Sequence, residues 1–548
     1  MATSTATASG FLSRERTVAK PGFSRWLVPP AALAIHLCIG MAYGFSVFWL
    51  PLSKAVGITK TVDCPKDLGF FGALTTTSCD WKISLLGWMF TLFFVFLGTA
   101  SALWGGWLER VGPRKGGVVA TLCWCGGLVI GAVGVITHQL WIMWLGCGVI
   151  GGLGLGLGYI SPVSTLIKWF PDRRGMATGM AIMGFGGGAM IGAPLADRLM
   201  KWFASPAGVG VWQTFLVLAA IYFVFMIGGA LSYRLPPEDW KPQGWQPPST
   251  KRALLTNRNV SLDVAWRTPQ FWLLWGVLTL NVAAGIGIIG MASPMLQEVF
   301  GGKLLGIPVA FADLNKEQLD KIAAIAAGFT GLLSLFNIAG RIFWASLSDR
   351  LGRKATYMVF FLLGIALYAS VPSLAAAGSL ALFVAAFGII LSMYGGGFAT
   401  VPAYLADLFG TKMVGAIHGR LLTAWSTAGI LGPVLVNYIR EYQLAHGVAR
   451  AQAYSITMYV LAGLLAIGFL CNWAIHAVAE DRYMKVDDAA AVAAQRTQRP
   501  VEPQADTVSV EAASRRNAWL VPLAWAAVWI PIAWGVWVTL QKAAVLFR

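Results

Sequence analysis

Arg341 is the residue of this sequence whose position most needs explaining. It stands eight residues before Asp349, inside an apolar run at 322–344. On a helix rising about 1.5 Å per residue, that places it roughly 12 Å in from the Asp349 end, close to the middle of a bilayer core about 30 Å thick. A charge at that depth is costly and is a functional hypothesis by default. Arginine keeps its charge there, and its planar fork matches a carboxylate. Asn337 lies one turn away on the same face, where it can orient the guanidinium or touch a ligand. The chemistry is capture of a small organic anion. The alternative is an Arg341 that snorkels or pairs with a structural acid.

Aromatic residues at similar depth could line such a site. Tyr43 follows Gly40, Tyr159 precedes Ser161 and Pro162, Tyr394 and Phe398 are spaced i and i+4, and Trp425 lies in a later apolar run. Aromatic walls with a few polar tips suit a small, dehydrated organic ion. Tyr159 and Tyr394 stand beside helix-breaking residues, which mark cavity-lining backbone. His36 reads as a hydrogen-bonded packing element. His418 and Arg420 read as gate residues or as partners of Asp407.

These residues need helices in lipid to hold them, and the composition supplies such helices. Of the 548 residues 57% are hydrophobic and 12% charged. Soluble chains carry about 25% charged residues, so this chain cannot cover itself for water. A soluble enzyme, a disordered chain and a secreted disulfide scaffold are excluded. The net charge of +17 is then read as membrane topology, with no nucleic-acid partner. No CxxC or HExxH spacing, nucleophile triad or cofactor motif appears, so no metal site, cofactor or catalytic residue is expected.

Apolar stretches long enough to span fall at 26–52, 83–107, 117–136, 140–167, 176–196 and 211–231. After a Pro-rich polar stretch, six more fall at 271–299, 322–344, 356–371, 380–407, 414–438 and 453–478. A thirteenth, at 519–540, carries five Trp and two Pro; it is long enough to span, although an interfacial helix is the alternative. The expected organisation is a tail at 1–25, a six-helix bundle at 26–233 and a central loop at 234–268. A second bundle at 269–480, a linker at 481–517 and a last membrane helix at 518–548 complete it. Lys and Arg concentrate in the even connections, which places the tail, central loop and linker in the cytoplasm of an inner-membrane protein. Lys54, Lys60 and Lys66, in the first outer loop, run against that bias. Residues 1–10 lack a cleavable signal pattern, so the first span should be retained. Cys64 and Cys79 share the first outer loop, where an oxidising compartment permits a bridge; two free thiols is the other reading.

The two sets of six repeat one another. Residues 105–114 read GGWLERVGPR and residues 345–354 read ASLSDRLGRK. Gly112 and Gly352 are 240 residues apart, and so are Glu109 and Asp349, Pro162 and Pro402, Gly175 and Gly415, and Gly179 and Gly419. One offset at five places identifies a duplicated six-span unit.

On these motifs the chain resembles the major facilitator superfamily, whose signature G-x-L-x-D-R-x-G-R-K lies between the second and third spans of each half. The second copy fits through Leu347, Asp349, Arg350, Gly352, Arg353 and Lys354, with Ala345 replacing the first Gly. In the first, Glu109, Trp107 and Pro113 depart from the pattern, while Arg110, Gly112 and Arg114 remain. The resemblance implies an all-α membrane protein of two pseudo-symmetric six-helix bundles, plus the thirteenth helix, with these residues at a gate. The acid of each copy can sit at the start of a neighbouring helix, where the positive dipole end favours an anion.

Within the superfamily the chain resembles the oxalate:formate antiporter family. The residues are YGFSVF at 43–48, GLGLGLGYISP at 152–162, WFPDRRGMATG at 169–179 and NIAGR at 337–341. The monocarboxylate transporters, a related group, carry an acid where Asn337 stands. The resemblance implies a small carboxylate held by Arg341 within an aromatic cage. The oxalate carrier adds a Lys in span eleven, and this chain has Trp425 there. One cation suits one carboxylate, so formate, lactate or pyruvate becomes the expected substrate of an alternating-access carrier. The alternatives are an oxalate/formate exchanger and a non-transporting sensor or assembly protein; in any of these the last helix could anchor a membrane partner or stabilise the fold.

Overall fold

The computed structural model describes residues 10–58, 62–65, 68–237, 240–245, 254–256, 258–484 and 519–543. Lys60, Lys66, residues 1–9 and most of the expected linker lie outside the described residues.

Long helices account for nearly all of this structure. We number them α1 (Arg25–Phe48), α2 (Ile83–Val111), α3 (Pro113–Ile136), α4 (Leu140–Trp169), α5 (Arg174–Phe203) and α6 (Val211–Ser232). Then come α7 (Pro269–Phe300), α8 (Lys316–Leu351), α9 (Arg353–Ala376), α10 (Leu380–Phe409), α11 (Val414–Ala445) and α12 (Ser455–Trp473). The last is α13 (Leu520–Ala543). Twelve helices among the described residues are long and apolar enough to cross a membrane, α13 included. The remaining one, α8, is the carrier of Arg341. It outruns its apolar stretch because a capping box starts it early: Asn315 Oδ1 accepts from the Gln318 amide and Gln318 Oε1 from the Asn315 amide, both at 2.9 Å.

The helices pack as two equivalent sets. In the first, α1 lies on α5, α2 on α4 and α3 on α6; in the second, α7 lies on α11, α8 on α10 and α9 on α12. Each pair maps onto its counterpart by advancing six helices. The halves meet through two equivalent crossings, α5 on α8 and α11 on α2. Among the described residues no comparable packing joins α1 to α7.

Repeated glycines allow this arrangement. Gly112 and Gly352 turn the chain between α2 and α3 and between α8 and α9, with φ +87° and +88°, a conformation that disfavours any side chain. At the crossings the glycines bring backbones into contact. A Cβ on Gly175 would stand 2.1 Å from the Ala345 carbonyl oxygen, and one on Gly419 2.1 Å from that of Ser101. Association of helices in lipid depends on such close packing, since burial from water no longer drives it.

Three departures interrupt helical regularity. Residues Gly40–Phe48 of α1 form a nine-residue 3-10 segment, longer than such runs usually last. In α4, Trp144–Gly151 is π-helical. Helix α11 is interrupted at Leu422, just before Trp425.

At the end of the molecule where α1 finishes and α2 begins, Cys64 and Cys79 form a disulfide with Cα atoms 5.1 Å apart. The adjacent Asp80 carboxylate accepts from the amides of Val56, Gly57 and Val62 at 2.7–3.1 Å. Trp81 stacks on His138 with ring centres 4.1 Å apart, tying the loop to the end of α3. Closing a loop of 15 residues is worth roughly 3 kcal/mol in the chain-entropy picture. Cys64→Ser should therefore lower the melting temperature of the purified protein by several degrees. Thiol alkylation without reductant should leave both cysteines of the parent chain unmodified.

Candidate functional site: a buried arginine at the seam between the halves

Arg341 is fully buried. Its Nε donates to Asn337 Oδ1 at 2.9 Å, within α8, and its Nη1 donates to the Ile182 carbonyl of α5 at 2.8 Å. The side chain therefore bridges the two halves. Its Nη2 makes no well-formed hydrogen bond, with the Tyr43 hydroxyl as a polar neighbour of the guanidinium, and Cζ lies 5.8 Å from the ring centre of Phe398. No carboxylate neutralises it in these contacts. A buried cation with an unused donor is unfavourable on its own, and an anion relieves both deficits at once.

Aromatic rings from both halves surround it. Phe398 packs on Trp425 at 4.3 Å between centres, and Trp425 meets Tyr159 and Phe185 at 5.3 Å each. Phe185 also stands edge-on to Tyr43 at 5.0 Å. Above this cage the hydroxyls of Tyr43 and Tyr394 meet at 3.2 Å across the seam, with Tyr43 only partly buried. The 3-10 segment of α1 carries Tyr43 into that position. Inside the cage the Tyr159 hydroxyl and Trp425 Nε1 are buried without a hydrogen-bond partner. With Arg341 Nη2 they make three unused donors, contributed by both halves. Leaving such groups dry costs about 1–3 kcal/mol each, a deficit that a hydrogen-bond acceptor would relieve.

All seven residues expected around an anion are thus gathered here: Arg341, Asn337, Tyr43, Tyr159, Tyr394, Phe398 and Trp425. Phe185, Phe94 of α2, whose ring centre lies 5.2 Å from that of Trp425, and the Ile182 carbonyl belong to the same site and carry no signal in the sequence. His36 is a packing element, its ring held between the carbonyls of Ala181 and Tyr159.

Below the cage, the basic ends of the helices close the seam. The Asp349 carboxylate accepts from the amides of Gly175 and Met176, at 2.8 and 3.0 Å, where α5 begins. Glu109 accepts from the Gly415 amide at 3.1 Å, where α11 begins, and from Lys168 Nζ at 2.6 Å. Each acid thus caps a helix of the opposite half, where the dipole favours it. Asp407 binds Arg174 at 3.0 Å and Arg353 at 3.2 Å, and Arg353 also binds Asp349 at 2.7 Å.

Other basic residues of the motif are placed differently. Arg114 donates to the carbonyls of Phe11 and Tyr233, and Lys354 to those of Trp473 and Ile475; each ties the end of a helix to its own half. Arg110 and Arg350 are exposed. Neither His418 nor Arg420 pairs with Asp407, which removes one of the two sequence readings: Arg174 and Arg353 occupy that carboxylate. Arg420 binds Asp263 at 3.4 Å. His418 is buried with its ring 5.9 Å from Tyr159.

Comparison with known proteins follows the same lines. The profile of the Major Facilitator Superfamily matches residues 33–433 and, in a second match, 318–544. The oxalate:formate antiporter of Oxalobacter formigenes is 30% identical over 283 residues, covering 52% of this chain and 59% of that protein. The apicoplast pyruvate carrier 1 of Toxoplasma gondii is 25% identical over 340 residues, covering 53% and 58%. The chain thus spans under two thirds of either relative. Among solved structures, a point variant of the fucose:proton symporter FucP of E. coli superposes with a TM-score of 0.54 at 14% identity, covering 82% of this chain and 99% of that one.

The glycine crossings give a direct test of the seam. Overpacking costs about 1–3 kcal/mol, so Gly419→Ala should weaken closure at the basic ends by roughly ten- to hundredfold. The expected readout is a faster reaction of thiol reagents with a cysteine placed at Ser101, in protein that still elutes as a single species. Unchanged reactivity would mean that the crossing is looser than its geometry.

Proposed function

The chain belongs to the major facilitator superfamily, and on that footing we propose that it carries a small carboxylate, with a monocarboxylate such as formate, lactate or pyruvate favoured, by alternating access across a bacterial inner membrane. The observation that carries this reading is the buried guanidinium of Arg341. It bridges the halves and keeps one donor unused beside two others inside an aromatic cage. Arg341 binds the carboxylate, Asn337 holds the guanidinium in plane, and the rings strip water and limit size. Tyr43 and Tyr394 cover the site, and separation of their hydroxyls opens it on that side.

The basic ends form the cytoplasmic gate in this proposal, with the N-terminus on the same side. The state described is then closed towards the cytoplasm. Opening it requires Asp349 and Glu109 to release the starts of α5 and α11, and Asp407 to release Arg174. Because the contacts at the two crossings are equivalent, they can break together.

Similarity to the oxalate:formate antiporter favours a second reading, exchange of oxalate for formate. On the family resemblance, Trp425 takes the place of a second cation, so a two-ended clamp for a dicarboxylate would lack one end. A third reading, a membrane sensor that moves nothing, predicts no flux.

Counterflow of labelled formate, lactate, pyruvate and oxalate into vesicles holding the purified protein separates these readings. Removing one partner of a buried, hydrogen-bonded charge pair costs about 2–5 kcal/mol. Arg341→Ala should therefore lower monocarboxylate counterflow at least about thirtyfold. Arg341→Lys should retain charge, lose the fork, and fall between the two. Oxalate exchange at the monocarboxylate rate would replace the single-clamp reading with the exchanger. No carboxylate flux from folded protein would overturn both.

A further inference from the structure

Helix α13 lies against both halves of the molecule at once. Its Val528 and Ile532 are buried in a small apolar cluster with Leu33 of α1, Met183 and Met190 of α5, and Ile338 of α8. At its start, Trp525 Nε1 donates to the Trp26 carbonyl at 3.1 Å, near the basic end of α1. Fourteen residues on, roughly 21 Å along the helix, Thr539 is buried against α8, its Cγ2 3.0 Å from where a Cβ of Gly331 would be.

The position of these contacts along the seam is informative. Near the basic ends α5 and α8 touch directly, from Gly175 against Ala345 to Gly186 and Gly187 against Ile338. Farther out α13 lies along the seam, one face against α5 and α8 and the opposite face, with Leu523, Ile530 and Trp537, exposed. A Cβ on Gly535 would lie 3.2 Å from Ile191 and Met190 of α5, and the Trp534 ring stands 5.1 Å from the Arg198 guanidinium. On the other side Thr539 meets Gly331 of α8. The absence of a side chain at Gly535 and at Gly331 lets α13 seat closely on each helix.

We propose that α13 is a wedge between the halves: it holds the far ends of α5 and α8 apart and so favours the state closed at the basic ends. Alternating access, on which this inference rests, requires the far ends to approach when the basic ends separate. A helix with side chains is about 10 Å across and does not compress. The opposite state therefore requires α13 to slip out of the seam or to travel with one half. The energy of its docking sets the balance of the two states, and through it the transport rate. Deletion of docking contacts shifts that balance without touching Arg341 or its cage.

The test uses the full-length chain in vesicles, with its five unbridged cysteines changed to alanine and spin labels on cysteines at Lys201 and Lys321. Both positions are exposed, at the far ends of α5 and α8. Double electron–electron resonance reads the distance between them. With α13 intact the longer separation should dominate. In Trp525→Ala, Val528→Ala, Ile532→Ala protein a shorter population should become the main one. The same distribution in both proteins overturns the wedge. Should the triple variant fail to fold, cysteine pairs at Gly331 with Thr539 and at Met190 with Gly535 replace it. Each tether alone should permit both separations, and the two together should leave only the longer one until reductant is added. Both separations persisting under the double tether overturns the proposal as well. Distances answer this question whichever substrate is carried, so failure here is distinct from failure of the carboxylate reading.

Discussion

The structure depends on one electrostatic constraint, a guanidinium buried in the seam between two helical bundles. Arg341 donates to one half through Asn337 and to the other through the Ile182 carbonyl. Buried at the seam, the charge is offset by the Asn337 and Ile182 carbonyl oxygens and by the Phe398 ring face. That surrounding is incomplete. The unused Nη2, the Tyr159 hydroxyl and Trp425 Nε1 leave the site with more donors than acceptors. In the reading proposed above, a carboxylate supplies the missing acceptor and touches both halves at once.

The duplication explains why closure is symmetric while the site is not. Glycines and acids recur at the 240-residue offset and produce matched crossings: Asp349 at the start of α5, Glu109 at the start of α11. The position corresponding to Arg341 in the first half is Ser101, whose hydroxyl bonds the Gly156 carbonyl at 3.2 Å. Scaffold residues are shared by the halves, and the buried charge belongs to one.

Much of this was legible in the sequence because lipid restricts the options. Apolar length located the helices, a fixed offset revealed the repeat, and the cost of a charge at depth singled out Arg341. Asn337 followed from helix geometry alone. What stayed hidden has a common cause. In membrane helices the lipid face and the packing face are both apolar, so periodicity does not say which aromatic turns inward. Phe185, set in a run of glycines, gave no sign of meeting Tyr43, Tyr159 and Trp425. The partners of Asp407 are not legible in the sequence, because Arg174 and Arg353 arrive from distant segments, one from each half. Length alone identified α13, but nothing in its composition indicated that it would dock on α1, α5 and α8 together.

The most direct test of the central claim is equilibrium binding to the purified protein, without transport. Labelled lactate should bind saturably, be displaced by pyruvate or formate, and resist displacement by lactamide, which keeps the shape and loses the charge. Arg341→Met, which fills similar volume without the cation, should abolish that binding. Equal competition by lactamide, or lactate binding that survives Arg341→Met, would contradict an arginine-held carboxylate.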